Sequence, residues 1–576
     1  MTPRRPEPTA DPATAGTDAG RLSANTFGLA LAAICALGLL LRLPTLASRS
    51  LWLDETYSAW FSALTLHQLW TDVPRYETHP PMYYSMLVLW RALFGASEAA
   101  LRSLSVLAGV LTIAAVACAG RVLRSLPGRD VAALVAALFL AVNTGSVAYA
   151  QQARPYALET LAATLAILAA WSLLERLLVC CPGSSRAGET RWKRVGARRK
   201  GESYRAVRRG FATTLRLVYS RIARAKFRDS TLAGRTGARD VMAPAAALAV
   251  STGATLWMHD TGAVVALGIW AGLAWTLLVH TRGQHGRQAL VLGAAGLGAV
   301  AVFSPFLPLL ALQASHVAAT AFWVRAEPKD LVAAWYLVTG GSDSTLACFG
   351  VLMLAGLATA WRQCRPQALF VAVVLLLPLS AVLAFSFLVK PIFIDRLFEW
   401  MTPLAMLVAA IGAVAALPAR ASAAWRVVAI AITVGLSLKA TYWLFAWQRE
   451  DWRGIVQAIE RQARPGDLVV VVPNELSVPL AYYARDPAFP DLLCLPAPFP
   501  AQGLQRVYVA NLGAPRIAPE DIATLRARLA THGRVWYIDR LADLYDVDDS
   551  VRREIAARHA LRSTGRSLAI HWSLYD

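Results

Sequence analysis

Eleven apolar runs, nearly free of charge, recur along the chain. They lie near residues 22–41, 103–120, 131–150, 156–174, 241–258, 262–280, 288–312, 344–361, 366–389, 400–419 and 427–447. A helix rises 1.5 Å per residue, so roughly 20 such residues cross ~30 Å of hydrocarbon. The pattern predicts a mainly α, polytopic bundle. The run 79–95, "HPPMYYSMLVLWRALFG", is short for a span. It reads as a helix in the outer interface, opened by the double proline, with Tyr83, Tyr84 and Trp90 at headgroup level. The segment 57–70 places Tyr57, Trp60, Phe61 and Leu64 on one stripe. Interfacial placement and core packing fit that stripe equally well. After residue 447 the period changes. "DWRGIVQAIERQARPGDLVVVVP" predicts an amphipathic helix, a turn and a buried strand. "QRVYVANL", "GRVWYID" and "SLAIHWSLYD" read as further strands, and "PEDIATLRARLATHG" as a helix. The division is a disordered cytoplasmic tail (1–25), a transmembrane domain (26–447) and a small α/β domain (448–576). The transmembrane domain holds a first outer loop at 42–102.

Composition agrees with the spans. Of 576 residues, 56% are hydrophobic and only 16% charged, where a soluble domain carries about a quarter. The net charge of +20 is concentrated. The loop 182–240 holds 17 basic and four acidic residues, and basic loops stay in the cytoplasm. No nucleic-acid motif accompanies these charges, so nucleic acid is not an expected partner. Within the loop, Val207, Phe211, Leu215, Val218 and Ile222 share one helical face with arginines on the others. That pattern suits binding to anionic lipid of the inner leaflet. With the N-terminus inside, every inner loop is basic and the outer loops are poor in Lys and Arg. The α/β domain then falls outside, on a bacterial cytoplasmic membrane. The first run is too long for a cleaved signal and reads as a retained span. The seven cysteines show no spacing that suggests a disulfide framework or a zinc site.

The outer loops hold the unusual polar residues. "SLWLDETYSAW", "HPPMYYSMLVLWRALFGASEAALRSLSVLAGVLT", "AQQARPYALETLA", "LWMHDTGAVVAL", "DRLFEWMTPLAMLVAA" and "DWRGIVQAIERQARPGDLVVVVP" occur in that order. Together they resemble the bacterial glycosyltransferase family 39-like membrane proteins of the GT-C class. That class also contains protein O-mannosyltransferases and lipid A aminoarabinose transferases. The resemblance spans about residues 27 to 475, interrupted by the basic loop. It implies transfer of a sugar from a polyprenyl-phosphate carrier to a lipid, glycan or protein acceptor at the outer face. It also implies that Asp54 is the catalytic carboxylate. His79 matches the position of a lysine that meets the carrier phosphate in the aminoarabinose enzymes. Gln152 stands where many members carry a glutamate, so any role of that glutamate is missing here.

The chemistry fits these positions. Attack of a hydroxyl on the sugar C1 needs a base within about 3 Å. The leaving group is already a phosphate, so it needs cations rather than a strong acid. Because the carrier's tail lies in the bilayer, its phosphate sits at headgroup depth, where Asp54 leaves the first span. Asp54 could instead only cap the following helix. Glu55 is a catalytic partner, or a structural neighbour that tunes Asp54. Arg154, Lys390 and Arg396 lie at outer loop mouths as candidate phosphate contacts. Gln152, Tyr156, His259, Asp260 and Lys439 are candidate substrate contacts. Interface snorkelling competes for Arg154 and Lys439, and turn chemistry for His259 and Asp260. No ligand cluster at metal spacing is evident, so an obligatory metal is not expected. Two other functions fit a polytopic chain. A flippase for lipid-linked sugars would favour internal repeats and broken helices at the midplane. A scaffold would not need the outer polar groups to converge.

Overall fold

The computed structural model describes residues 21–179, 235–281, 285–319, 327–416, 423–447, 450–484, 486–509 and 511–576. The amphipathic helix expected at 207–222 lies outside them. The first helices are α1 (Ala24–Arg42), α2 (Leu53–Phe61), α3 (Leu66–Thr71), α4 (Met82–Phe94), α5 (Glu98–Val122), α6 (Arg129–Val142), α7 (Thr144–Ala150) and α8 (Tyr156–Val179). Among the described residues ten helices are long and apolar enough to cross a membrane. The total becomes eleven when α6 and α7, bent by 62°, count as one span. Each of the eleven apolar runs corresponds to one of these. Large apolar side chains such as Leu29, Leu290, Leu297, Val351 and Leu354 stay exposed on the bundle's flanks. A polytopic helix bundle that leaves such flanks uncovered is a multi-pass membrane protein.

The chain direction alternates as the loops require. At one end, Asp130 accepts from the Leu22 amide and pairs with Arg121. At the same end Glu175 accepts from the Arg124 and Ser125 amides. At the opposite end α2, the loop before α8, the turn after Met258 and the 3-10 helix Asp395–Met401 meet one another.

The bend between α6 and α7 has a local cause. Asn143 accepts from the Ser146 amide and so starts a new helix, while its side-chain amide donates to Val338 O. The break leaves carbonyls at the end of α6 without helical partners. Arg42, fully buried, supplies donors to Ala141 O at 3.1 Å and Leu140 O at 3.4 Å, and to Ser146 Oγ at 2.8 Å. Gly109 lets this guanidinium pass, since a Cβ there would lie 3.0 Å from Arg42 Nε.

The first outer loop is packed rather than spread on an interface. Tyr57 and Phe61 are buried, and the Phe61 ring packs against Tyr84, tilted by 44°, at 4.5 Å between centroids. Helix α4 buries Tyr83, Tyr84 and Leu87 and leaves Leu89, Leu93 and Phe94 exposed. Tyr83 and Tyr84 therefore pack into the loop's core rather than sit at headgroup level as expected, because α4 turns its tyrosine face onto α2; the opposite, apolar face of α4 stays uncovered.

The C-terminal domain holds a five-stranded sheet of order β2-β1-β3-β5-β4. The strands are β1 (Leu468–Val472), β2 (Asp491–Cys494), β3 (Val535–Arg540), β4 (Leu561–Ser567) and β5 (Ile570–Tyr575). β1 pairs in parallel with β2 and β3, whereas β5 is antiparallel to both β3 and β4. Among its described residues, "QRVYVANL" forms no strand beyond an isolated bridge from Tyr508 to Pro515. The helices Trp452–Gln462 and Pro519–Leu529 fall where their periodicity placed them.

The helices Asp343–Gln363 and Thr402–Ala415 cross at two glycines. A Cβ on Gly356 would lie 1.9 Å from Val408 O, and one on Gly412 would lie 2.0 Å from Leu352 O. A Cβ on Gly350, in the same helix, would meet nothing within 4 Å. Gly356→Val or Gly412→Val should therefore lower the midpoint of thermal unfolding, at a cost of about 1–3 kcal/mol from overpacking. Gly350→Val should not. Equal midpoints for all three would show that this close crossing is unimportant.

Candidate active site

Helix α2 starts at Leu53, so Asp54 and Glu55 sit in its first turn, about 100° apart around the axis. Their environments differ completely. Glu55 is fully buried. Its Oε1 accepts from Arg102 Nε at 2.8 Å and from the Ala153 amide at 2.8 Å. Its Oε2 accepts from Arg102 Nη2 at 2.6 Å and from the Trp52 amide at 3.4 Å. Arg102 spends its remaining donors on Leu46 O, Arg49 O and Ser50 O. The geometry makes Glu55 a structural anchor rather than a partner in proton transfer, since both its oxygens are filled.

Asp54 is partly open, with 23% of its side chain exposed. Its Oδ2 lies 3.6 Å from Arg396 and 3.9 Å from Arg154. Both separations exceed a normal charged hydrogen bond. Arg396 comes from the 3-10 helix Asp395–Met401 and lies 5.8 Å from the centre of the Trp52 ring. Arg154 comes from the loop between α7 and α8. It donates to the Asp54 carbonyl at 3.3 Å, and its guanidinium lies 5.8 Å from the Tyr156 ring. The Nε–H of each arginine is buried without a hydrogen-bond partner. Two cations with unspent donors beside one carboxylate form a place for an oxyanion.

His79 bears on this pair indirectly. Its Nδ1 lies 2.5 Å from Glu77 Oε1 and its Nε2 lies 3.4 Å from Arg154. A guanidinium only donates, so Nε2 accepts in that contact and the proton sits on Nδ1. In this arrangement His79 orients Arg154 and has no donor aimed at a phosphate. The sequence pattern does not single out Glu77. It accepts from the Thr78 and His79 amides as well as from the His79 ring. Burial pushes its carboxyl up, but His79 and Arg154 outweigh burial and hold it below the usual carboxylate range. The one available sequence signal was an acid two residues before a histidine, ahead of a double proline.

The turn 259–261 closes the group. The His259 ring lies 4.8 Å from His79 and 5.3 Å from Tyr156. Its Nδ1 accepts from the Thr261 amide at 3.2 Å, which puts the ring proton on Nε2. That atom is buried without a partner. Burial, with the positive charges of Arg154 and Arg396, holds the ring well below the usual histidine range, so it is a neutral donor. Asp260 is exposed beside it.

Asp54, His79, Arg154, Tyr156, His259 and Arg396 thus meet, although four of the five segments that carry them are far apart in sequence. The other candidates sit differently. Gln152 turns back onto Ala148 O at 3.2 Å. Lys390 is half-buried at the start of the stretch leading to Asp395. Lys439 is exposed, off the Thr433, Ser437 and Thr441 stripe that the helix Ala423–Ala446 buries. Among the described residues no group of three or more His, Cys, Asp or Glu gathers to hold a metal.

No family model and no curated protein matches this chain in sequence. Solved structures do match it. ArnT from Cupriavidus metallidurans in the apo state superposes with a TM-score of 0.55 at 14% identity, over 96% of this chain and 98% of that one. The chain has the GT-C glycosyltransferase fold. The same ArnT bound to undecaprenyl phosphate superposes with a TM-score of 0.52, at the same identity and coverage.

Two outcomes follow from this geometry. Arg102→Met leaves Glu55 buried and unpaired, which should cost about 3–5 kcal/mol. Glu55→Gln/Arg102→Met should recover part of that loss, because an amide needs no counter-charge. Thermal unfolding of the purified variants tests this, and a double variant no better than Arg102→Met would refute it. Glu77 is depressed in the fold, so its stabilisation is present above the unfolded value of 4.5 and is lost as pH falls through the lower folded value. Glu77→Gln should therefore flatten the drop in unfolding midpoint on acidification below about pH 4.5. A drop as steep as that of the parent would remove Glu77 from the acid response.

Proposed function

We propose that the protein is a glycosyltransferase. It moves a sugar from a polyprenyl-phosphate carrier to an envelope acceptor on the outer face of the cytoplasmic membrane. The observation that carries this reading is the convergence of Asp54 with Arg154 and Arg396, whose Nε–H groups are buried and unpartnered. A scaffold has no use for such a group. A neighbour in fold, ArnT, has been solved with undecaprenyl phosphate, a ligand of the expected class.

The reaction follows from the chemistry of the site. The acceptor hydroxyl attacks the sugar C1, and the bond from C1 to the carrier phosphate oxygen breaks. Asp54 takes the hydroxyl proton. The phosphate keeps the bonding electrons and gains charge, which Arg154 and Arg396 stabilise. Tyr156 and His79 hold Arg154 in place, and the His259 Nε2–H is a neutral donor for the sugar or the phosphate. Lys390 stands near the mouth as a further cation. No step requires a metal. The charge alternation of the loops puts this site and the C-terminal domain outside.

The N-cap of α2 is Trp52, so Asp54, at the second helical position, does not cap the helix as its place in the sequence allowed. Asp54→Asn keeps the size of Asp but removes its charge and basicity. Turnover of a labelled polyprenyl-phosphate sugar with envelope extract as acceptor should fall at least ~10²-fold. Arg154→Gln and Arg396→Gln should each weaken undecaprenyl phosphate binding about tenfold or more. Normal turnover in Asp54→Asn would eliminate the base, and unchanged affinity in both arginine variants would eliminate the phosphate site.

A further inference from the structure

The helix that carries Asp54 has a defect at its N-terminus. Its N-cap is Trp52, which has no side-chain acceptor for the exposed amides of the first turn. Glu55 reaches the Trp52 amide only at 3.4 Å. The Leu53 amide, next to Asp54, is satisfied from the other domain. Glu450 Oε2 accepts from it at 3.0 Å and also from Trp452 Nε1 at 3.1 Å. Glu450 Oε1 takes Arg540 Nε at 2.8 Å, at the end of β3. One turn further along α2, the Tyr57 hydroxyl donates to Glu475 at 2.6 Å. Just ahead of the helix, the Leu51 amide donates to the Tyr483 hydroxyl at 2.7 Å. Glu450, Glu475, Tyr483 and Arg540 all belong to the C-terminal segment. Glu450 and Glu475 are buried.

We infer that Glu450, braced by Arg540, is a positioning residue for Asp54, and that the C-terminal domain serves transfer by capping α2 in trans. This rests on the proposed role of Asp54. A carboxylate at a helix N-terminus is favoured by both hydrogen bonding and the helix dipole. Here that carboxylate is supplied about 400 residues away in sequence, so docking of the domain and placement of the base are one event. Glu475 and Tyr483 add contacts on either side of the same turn.

The test uses the full-length chain in detergent or lipid nanodiscs. Glu450→Gln keeps an oxygen for the Leu53 amide but loses the charge, and Glu450→Ala loses both. Amide exchange of the 51–58 segment should rise at least tenfold in Glu450→Ala, less in Glu450→Gln, and not at all in Arg534→Gln. Arg534 pairs with Asp467 elsewhere in the domain, so its variant reports general loosening. Turnover of a labelled undecaprenyl-phosphate sugar should fall about tenfold or more in Glu450→Ala, while binding of undecaprenyl phosphate stays unchanged. In the Asp54→Asn background, Glu450→Ala should cost nothing further, because the base it positions is gone. Unchanged exchange at 51–58, a rise equally large in Arg534→Gln, or additive losses of turnover would overturn the inference while leaving the base in place. Normal turnover of Asp54→Asn alone would instead overturn the reading on which it rests.

Discussion

The buried pair of Glu55 and Arg102 fixes the outer end of the bundle. A buried ion pair taken alone is weak evidence of stability, because desolvation offsets the attraction. This one is different in its connections. Arg102 lies in α5 and its guanidinium gathers three carbonyls from residues 46–50. Glu55 lies in α2 and takes the amide of Ala153, in the loop that also carries Arg154. The pair therefore sets the mutual position of the first outer loop, the second span and the second outer loop. Its neighbour Asp54, one residue away, is turned out of that network and toward the two cations. The Asp-Glu doublet is one acid that builds and one that stays partly open.

The spacing of charge around Asp54 follows from that anchor. At separations of 3.6 and 3.9 Å in a partly buried site, each arginine attracts the carboxylate with an energy on the order of 4 kcal/mol. That attraction keeps the three side chains together without locking them into short hydrogen bonds. An arriving phosphate would compete for both guanidinium groups at once. On the proposed reading, donor binding draws the arginines toward the phosphate and leaves the Asp54 carboxylate free to meet the acceptor hydroxyl. Glu77 matters here because it fixes the ring that fixes Arg154. Without an acceptor on Nδ1, the Nε2 lone pair would not be committed to that contact.

The spans were legible because hydrocarbon thickness demands long apolar runs, and every expected run became a helix or the bent pair. Asp54, Arg154 and Arg396 were legible as isolated polar residues at loop mouths. The split between Asp54 and Glu55 was not. Two adjacent acids look alike until the helix face of each is known, and Arg102, which decides it, reads as one more flanking cation. Glu77 and Glu450 were hidden for a related reason. Their roles depend on a turn and on a contact across the chain, neither of which leaves a periodic signal. In the C-terminal domain, β1 and β3 showed as buried apolar runs. β2 and β4 lie at the sheet edges, where sequences such as "LRSTGRS" are polar. "QRVYVANL" has the alternation of a strand, but its described residues pair with none, because they fold back on Pro515.

The buried polar groups inside the bundle bear on what kind of machine this is. A carrier that alternates access needs a binding site near the midplane, built from broken helices whose freed backbone meets the cargo. This bundle does contain a broken helix, at α6 and α7. Its freed carbonyls, however, are already taken by Arg42, and Asn143 ties the break to Val338. Glu399, deep on the same side, accepts from Thr402. The break is thus filled by the protein's own side chains and forms a floor rather than a passage. It also delivers a consequence above it. The bend steers α7 into the loop that presents Arg154, so the residue that breaks the helix, Asn143, helps set where Arg154 stands. In this fold the polar groups within the hydrocarbon are spent on geometry, and those at its outer edge remain available for chemistry.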